Sequence, residues 1–183
     1  MDDDIATTLV VDELALRPWR ETDAPALFAA CQDPEIARWV TIPQPYGQAD
    51  ADAFIASSQA MWRDSSGAPF AIVESATDRL LGAVTLFGPE GHQATVGLWL
   101  APEGRGRGAG TRALRRLVEW TFETRPVFRI DCFIMVGNEP SERMVVRAGF
   151  QREGVLRGWD LHHGGVPVDC VAYSRLRTDP ADR

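Results

Sequence analysis

The spacing of apolar residues divides the chain into segments of different period. Residues 8–19, TLVVDELALRPW, alternate well enough to predict a first strand. ETDAPALFAACQ follows with helical spacing at Ala26, Leu27, Ala30 and Cys31, and with Thr22 and Asp23 as candidate caps. Pro34 opens a short second helix ending near Trp39. After the Pro-rich TIPQPYG, the segment QADADAFIASSQAMWRD predicts a third helix whose apolar face is Phe54, Ile55, Met61 and Trp62.

Beyond residue 66 the period shortens. PFAIVES and LLGAVTLFG, separated by ATDR, read as a hairpin, and HQATVGLWLA as a third strand beside it. Helical spacing returns over 108–124, where Ala113, Leu114, Leu117, Val118 and Phe122 form one stripe. VFRIDCFIMV is a buried strand, and NEPSERMVVRA a short helix with Gly149 as its left-handed stop. FQREGVLRGWDLHH and VPVDCVAYSRL close the chain as a hairpin around Gly164–Gly165. The order βααα–βββ–α–β–α–ββ predicts an α/β (α+β) domain spanning residues 1–183, a mixed seven-stranded sheet flanked by helices.

The junction APEGRGRGAGTRAL between the third hairpin-series strand and the long helix concentrates the candidate chemistry. It places four glycines in seven positions, Gly104 to Gly110. Small residues let backbone N–H groups converge, and the helix N-terminus adds its positive dipole end, so the junction suits an anion such as a phosphate. A tight turn without ligand is the plainer alternative. A Walker loop would need Gly-Lys-Ser/Thr where this chain has Gly110-Thr111-Arg112. Gly108, Gly110 and Ala113, with Asp131 further on, imitate a dinucleotide fingerprint, but antiparallel hairpins flank the unit and Asp131 lies inside its strand.

Arg105-x-x-Gly108-x-Gly110, followed by NEPS and AGF about 30 residues on, fits another pattern. Here the chain resembles the GNAT N-acetyltransferases, in their branch of RimJ/RimL-like ribosomal-protein acetyltransferases. The likeness runs from LALRPWRETDAPALF through VGLWLAPEGRGRGAGTRALRRLVEWTF and GNEPSERMVVRAGFQREGVLRG to DCVAYS. It implies the GNAT fold with splayed fourth and fifth strands, and acetyl-CoA as acyl donor without a metal. By the same resemblance, the backbone of Leu98, Trp99 and Leu100 would pair with pantetheine and polarise the thioester. The amides of Arg105, Gly106, Arg107, Gly108, Ala109, Gly110 and Thr111 would wrap the pyrophosphate.

Arg105 and Arg107 are candidate side-chain contacts to phosphate, whereas Arg112, Arg115 and Arg116 read as a solvated face. Asn138 is a candidate N-cap and ligand contact. Ser141, in the same first turn, is the candidate catalytic residue that would stabilise the departing thiolate. Two positions depart from the family pattern: Thr95 and Val146 stand where relatives often carry acids. The general base is therefore open, with Glu139, Asp169 or an amine that arrives neutral as alternatives. His92, His162 and His163 lie near strand ends, and Trp39, Tyr46, Trp62 and Trp159 either pack or line an acceptor pocket.

Charge and cysteine content narrow the class. The net charge of −7 argues against bulk electrostatic binding of nucleic acid and favours a cationic acceptor amine. There is no membrane-length apolar run, and the acidic start MDDDIATT is unlike a signal peptide. Three dispersed cysteines, Cys31, Cys132 and Cys170, fit packing roles in a reducing, cytoplasmic compartment. The expected protein is an acetyl-CoA-dependent N-acetyltransferase, monomeric or homodimeric. Its acceptor surface would be formed by the N-terminal helices and the 157–168 hairpin. The rivals are a succinyl-CoA-dependent acyltransferase, a non-catalytic acyl-CoA-binding module, and a nucleic-acid-binding domain using RGRG.

Overall fold

The computed structural model describes residues 7–89 and 91–180; the acidic start therefore lies mostly outside the described residues. Eight strands, not seven, form one sheet in the order β1-β2-β3-β4-β5-β6-β8-β7. The difference arises in TLVVDELALRPW, which folds back on itself as β1 (Leu9–Val11) and β2 (Leu14–Pro18). Asp12 takes a φ of 50° at the turn between them. Asp tolerates this left-handed region better than most residues, so a tight turn forms without glycine or proline to announce it.

Three helices follow: α1 (Ala24–Ala30), α2 (Pro34–Trp39) and α3 (Gln48–Arg63). Asp23 does not cap α1 through its side chain. Its carboxylate accepts two 2.8 Å hydrogen bonds from the buried Arg17 guanidinium and another from the Arg20 N–H. The meander β3 (Gly67–Glu74), β4 (Leu80–Phe87) and β5 (Gln93–Leu100) leads into α4 (Ala109–Thr124). The chain closes with β6 (Arg129–Met135), α5 (Glu139–Arg147), β7 (Gln151–His162) and β8 (Val166–Leu176).

The sheet separates two cores. On one face Ala113, Leu114, Leu117 and Val118 of α4 pack against Phe70, Ile72, Val84 and Ile130. On the other, Leu27, Ala51 and Ile55 pack against Ala71, Val73 and Ala83. Trp62 and Tyr46 are buried in these cores, and Cys31, Cys132 and Cys170 are buried free thiols. Burial pushes the Cys31 thiol up to about 11 and Cys132 up to about 12, so both remain protonated packing groups.

The irregularity that matters for function lies between β5 and β6. They pair in parallel over only three positions, ending at Thr95↔Asp131. Beyond this point β5 runs on to Leu100 beside β4, and β6 runs on to Met135 beside β8. The splay is thus between the fifth and sixth strands, the count having moved by one with the extra N-terminal strand. No helix among the described residues is long and apolar enough to cross a membrane.

Candidate active site

Where β5 and β6 part, a cavity of about 430 Å³ opens against the glycine loop and α5. Leu98, Trp99, Leu100, Arg105, Gly106, Gly108, Ala109, Gly110, Thr111, Asn138 and Ser141 all line it; of the residues expected to hold the donor, Arg107 does not. The cavity is a groove between a strand edge, a helix N-terminus and the facing helix.

The four glycines have separate structural reasons. Gly106 and Gly108 adopt φ of 72° and 74°, left-handed values that a side chain would strain. A Cβ on Gly104 would stand 2.4 Å from the Leu81 carbonyl, and one on Gly110 would stand 2.5 Å from Met144 Sδ. Two glycines therefore set the loop's path, and two allow strand and helices to approach. Their number alone does not establish a ligand. What suits the groove to a phosphorylated, extended ligand is the result: Gly106 faces open space, and α4 starts at Gly108 without a side-chain cap.

The arginines diverge. Arg105 Nη1 pairs with Asp33 Oδ2 at 2.7 Å, and its Nε donates to the Leu100 carbonyl at 3.1 Å. Two of its three nitrogens are thus committed to the protein. Arg107 is drawn out of the groove, its Nη2 lying 3.4 Å from Glu74 Oε1. The guanidinium that was expected to meet phosphate faces a carboxylate 33 positions earlier in the chain. Arg112 bonds to Glu13 and the Arg107 carbonyl.

Asn138 caps α5 as its position implied. Its Oδ1 accepts from Ser141 N–H at 3.3 Å, and Pro140 occupies the first turn. The Asn138 amide nitrogen and the Ser141 hydroxyl make no hydrogen bond to the described residues, and both residues line the groove. From the far side, Tyr173 Oη donates to Glu142 Oε2 at 2.6 Å and holds this first turn against β8. Burial and the neighbouring carboxylate push the Tyr173 phenol up to about 12, so it stays a donor.

Sequence reasoning overlooked Arg143, Met144 and Arg147, which also line the groove. With Pro140 they stand at i, i+3, i+4 and i+7 on α5, a single face. That spacing was visible, but its mixture of charge and thioether resembles an ordinary solvated helix.

A second cavity, of about 750 Å³, adjoins the first, with Trp39 common to both linings. Arg38, His162, His163, Met135, Val136 and Asp169 contribute to its walls. The His163 Nε2 lies 2.6 Å from the Ala37 carbonyl and so is the protonated nitrogen, donating to it. The two histidine rings lie 4.2 Å apart. Trp159, by contrast, stacks on Phe133 at 4.8 Å and stays half exposed outside this lining.

Each candidate carboxylate already has a partner. Asp131, opposite Thr95 at the apex of the splay, accepts from Arg129 Nε at 2.7 Å. Glu139 pairs with Arg143 at 3.1 Å, and Asp169 Oδ1 accepts from Gly158 N–H at 2.8 Å.

Comparison with known proteins places this geometry. The family model of the acetyltransferase (GNAT) domain matches residues 13–151. The uncharacterized N-acetyltransferase YoaA of Bacillus subtilis (strain 168) is 27% identical over 171 residues, covering 92% of this chain and 96% of YoaA. Two solved structures share the fold. RimJ of Mycobacterium smegmatis, in complex with CoA-disulfide, superposes with a TM-score of 0.81 at 23% identity, over 94% of this chain and 87% of RimJ. The ribosomal-protein-S5-alanine acetyltransferase of Vibrio fischeri does so with a TM-score of 0.81 at 18% identity, over 96% of this chain and all of that one (100%). The family match covers the splayed strands, the glycine loop and most of α5's surroundings, and the chain belongs to the GNAT acetyltransferase family.

Proposed function

We propose that this chain transfers an acetyl group from acetyl-CoA, bound in the groove between β5 and β6, to a primary amine presented from the second cavity. The carrying observation is that two cavities, one beside a glycine loop and one open to solvent, meet at Trp39. When bound, acetyl-CoA supplies an activated thioester. The residues around it orient the donor and stabilise charge.

In this reading the amides of residues 105–111 receive the pyrophosphate, and the backbone of Leu98, Trp99 and Leu100 borders the pantetheine arm. The Leu100 carbonyl already accepts one hydrogen bond, from Arg105 Nε. The free Asn138 amide binds a donor carbonyl. The Ser141 hydroxyl donates to the sulfur as it acquires charge, an interaction strongest in the transition state. The amine attacks as the neutral species, having lost its proton to solvent before docking; the nearby carboxylates each have a partner, Glu35 with Trp39 Nε1 and Arg38, Glu139 with Arg143, and Asp169 with the Gly158 N–H.

The molecule's charge of −7 supports a cationic acceptor, because its long-range field draws in a molecule that carries positive charge besides its reacting amine. The cavity wall adds little to that preference, since it sets Arg38 and two histidines beside Asp169. Selection by the field weakens as salt shortens its range.

The test is thiol release from acetyl-CoA and succinyl-CoA against amines of matched size and different charge, at low and high salt. The proposal expects acetyl-CoA turnover, with cationic amines ahead and their lead shrinking as salt rises. Turnover with succinyl-CoA alone would replace the donor. A preference for anionic amines would overturn the electrostatic account.

A further inference from the structure

Three guanidinium groups line the groove, and they differ in what holds them. Arg105 is paired with Asp33, and Arg143 is paired with Glu139. Arg147 has no hydrogen-bond or ion-pair partner for its side chain among the described residues. The lone carboxylate of the lining, Glu35, accepts from Trp39 Nε1 at 3.2 Å and contacts Arg38 at 3.5 Å, both on α2. Nothing in the lining therefore neutralises Arg147.

Its position is fixed from behind. The Arg147 backbone carbonyl, in the last turn of α5, accepts a short hydrogen bond from the Arg115 guanidinium of α4. One turn back, Met144 makes the close approach to Gly110 at the start of α4. Arg147 thus stands on the groove face of α5, beyond the point where the glycine loop meets that helix. Ser141, at the opposite end, is six residues away, about 9 Å along the helix. A ligand with its reacting end at Ser141 and its pyrophosphate at the loop would reach Arg147 with whatever follows the pyrophosphate.

Resting on the proposed acetyl-CoA reading, we infer that Arg147 binds the 3′-phosphate of the donor's ribose and makes the groove select CoA over its dephosphorylated form. The guanidinium fork suits a terminal phosphate, whose dianion attracts it more strongly than the singly charged phosphates of the bridge. Because the pair sits at the exposed rim, its contribution is modest and salt-dependent.

The experiment is calorimetric titration of CoA and 3′-dephospho-CoA into the full chain and its Arg147→Gln variant at low salt. The parent is expected to bind CoA about three- to five-fold more tightly than dephospho-CoA, the size of an exposed ion pair. Arg147→Gln should bring the two ligands within about two-fold of one another and leave dephospho-CoA affinity unchanged. Arg143→Gln should keep the parent's preference, since Glu139 already holds that side chain. Equal weakening toward both ligands in Arg147→Gln, or an undiminished preference for CoA, would overturn the assignment while leaving acetyl-CoA as donor. A parent that bound neither ligand would overturn the donor reading, and this inference with it.

Discussion

Arg105 and Asp33 join the donor groove to the helix that separates it from the second cavity. Their 2.7 Å contact links the glycine loop to the start of α2, because Asp33 also accepts the Glu35 N–H at 2.7 Å as helix cap. Asp33→Asn separates these roles, since Asn caps a helix about as well as Asp but carries no charge. Thermal stability should stay within a few degrees of the parent, while CoA affinity falls about three- to ten-fold as the loop loses its brace. Unchanged calorimetric affinity would show that the loop keeps its shape without the ion pair.

Gly110 tests how the groove's back wall is built. A Cβ there would stand 2.5 Å from Met144 Sδ and 3.2 Å from Leu100 Cδ1. Gly110→Ala should therefore destabilise the protein by about 1–3 kcal/mol through overpacking. Most of that cost should vanish in a Met144→Ala background, where the flexible side chain no longer blocks the methyl. Denaturant titration of the four proteins in the cycle measures the coupling. Additive effects would contradict the steric account.

Much of this site was legible because its determinants are local. The cap at Asn138, the stop at Gly149 and the glycine loop depend on residues a few positions apart, and the stripe of α4 follows from helical period. Other features depend on distant partners. Arg107 lies within the signature, yet Glu74 decides where its side chain goes. The β1–β2 turn rests on a left-handed Asp12, which a run of alternating residues conceals. Arg147 differs from Arg105 and Arg143 only in lacking, among the described residues, the carboxylate partners that the fold gives those two.

Acid should weaken the protein through Glu153. The Arg129 guanidinium, with help from Ser174, holds its carboxylate down to about 2 from an ordinary 4.5. A depressed folded-state value means that the contribution is complete above 4.5 and is lost as pH falls through about 2. The stability gap between the parent and Glu153→Gln should be steady near neutrality and should close across that window. A gap independent of pH would assign the effect to packing.

The reading that the amine arrives neutral predicts a pH profile set by the substrate. For an α-amine, kcat/KM should rise with pH and level off near the amine's own pKa of about 8; for a lysine-like amine the rise should continue toward about 10. An identical inflection for both acceptors would instead reveal a titrating group of the protein.

The most direct test of the site as a whole is the Ser141→Ala variant, with kcat and CoA affinity measured on the same preparation. Asn138 caps α5 by accepting the Ser141 backbone N–H, so removing the hydroxyl leaves the cap in place. If Ser141 marks the reacting end of the groove, kcat should fall roughly ten- to a thousand-fold while calorimetric CoA affinity stays within about two-fold of the parent. Full kcat in the variant would contradict that placement, and a parallel loss of CoA affinity would make Ser141 an anchor for the donor rather than a participant in transfer.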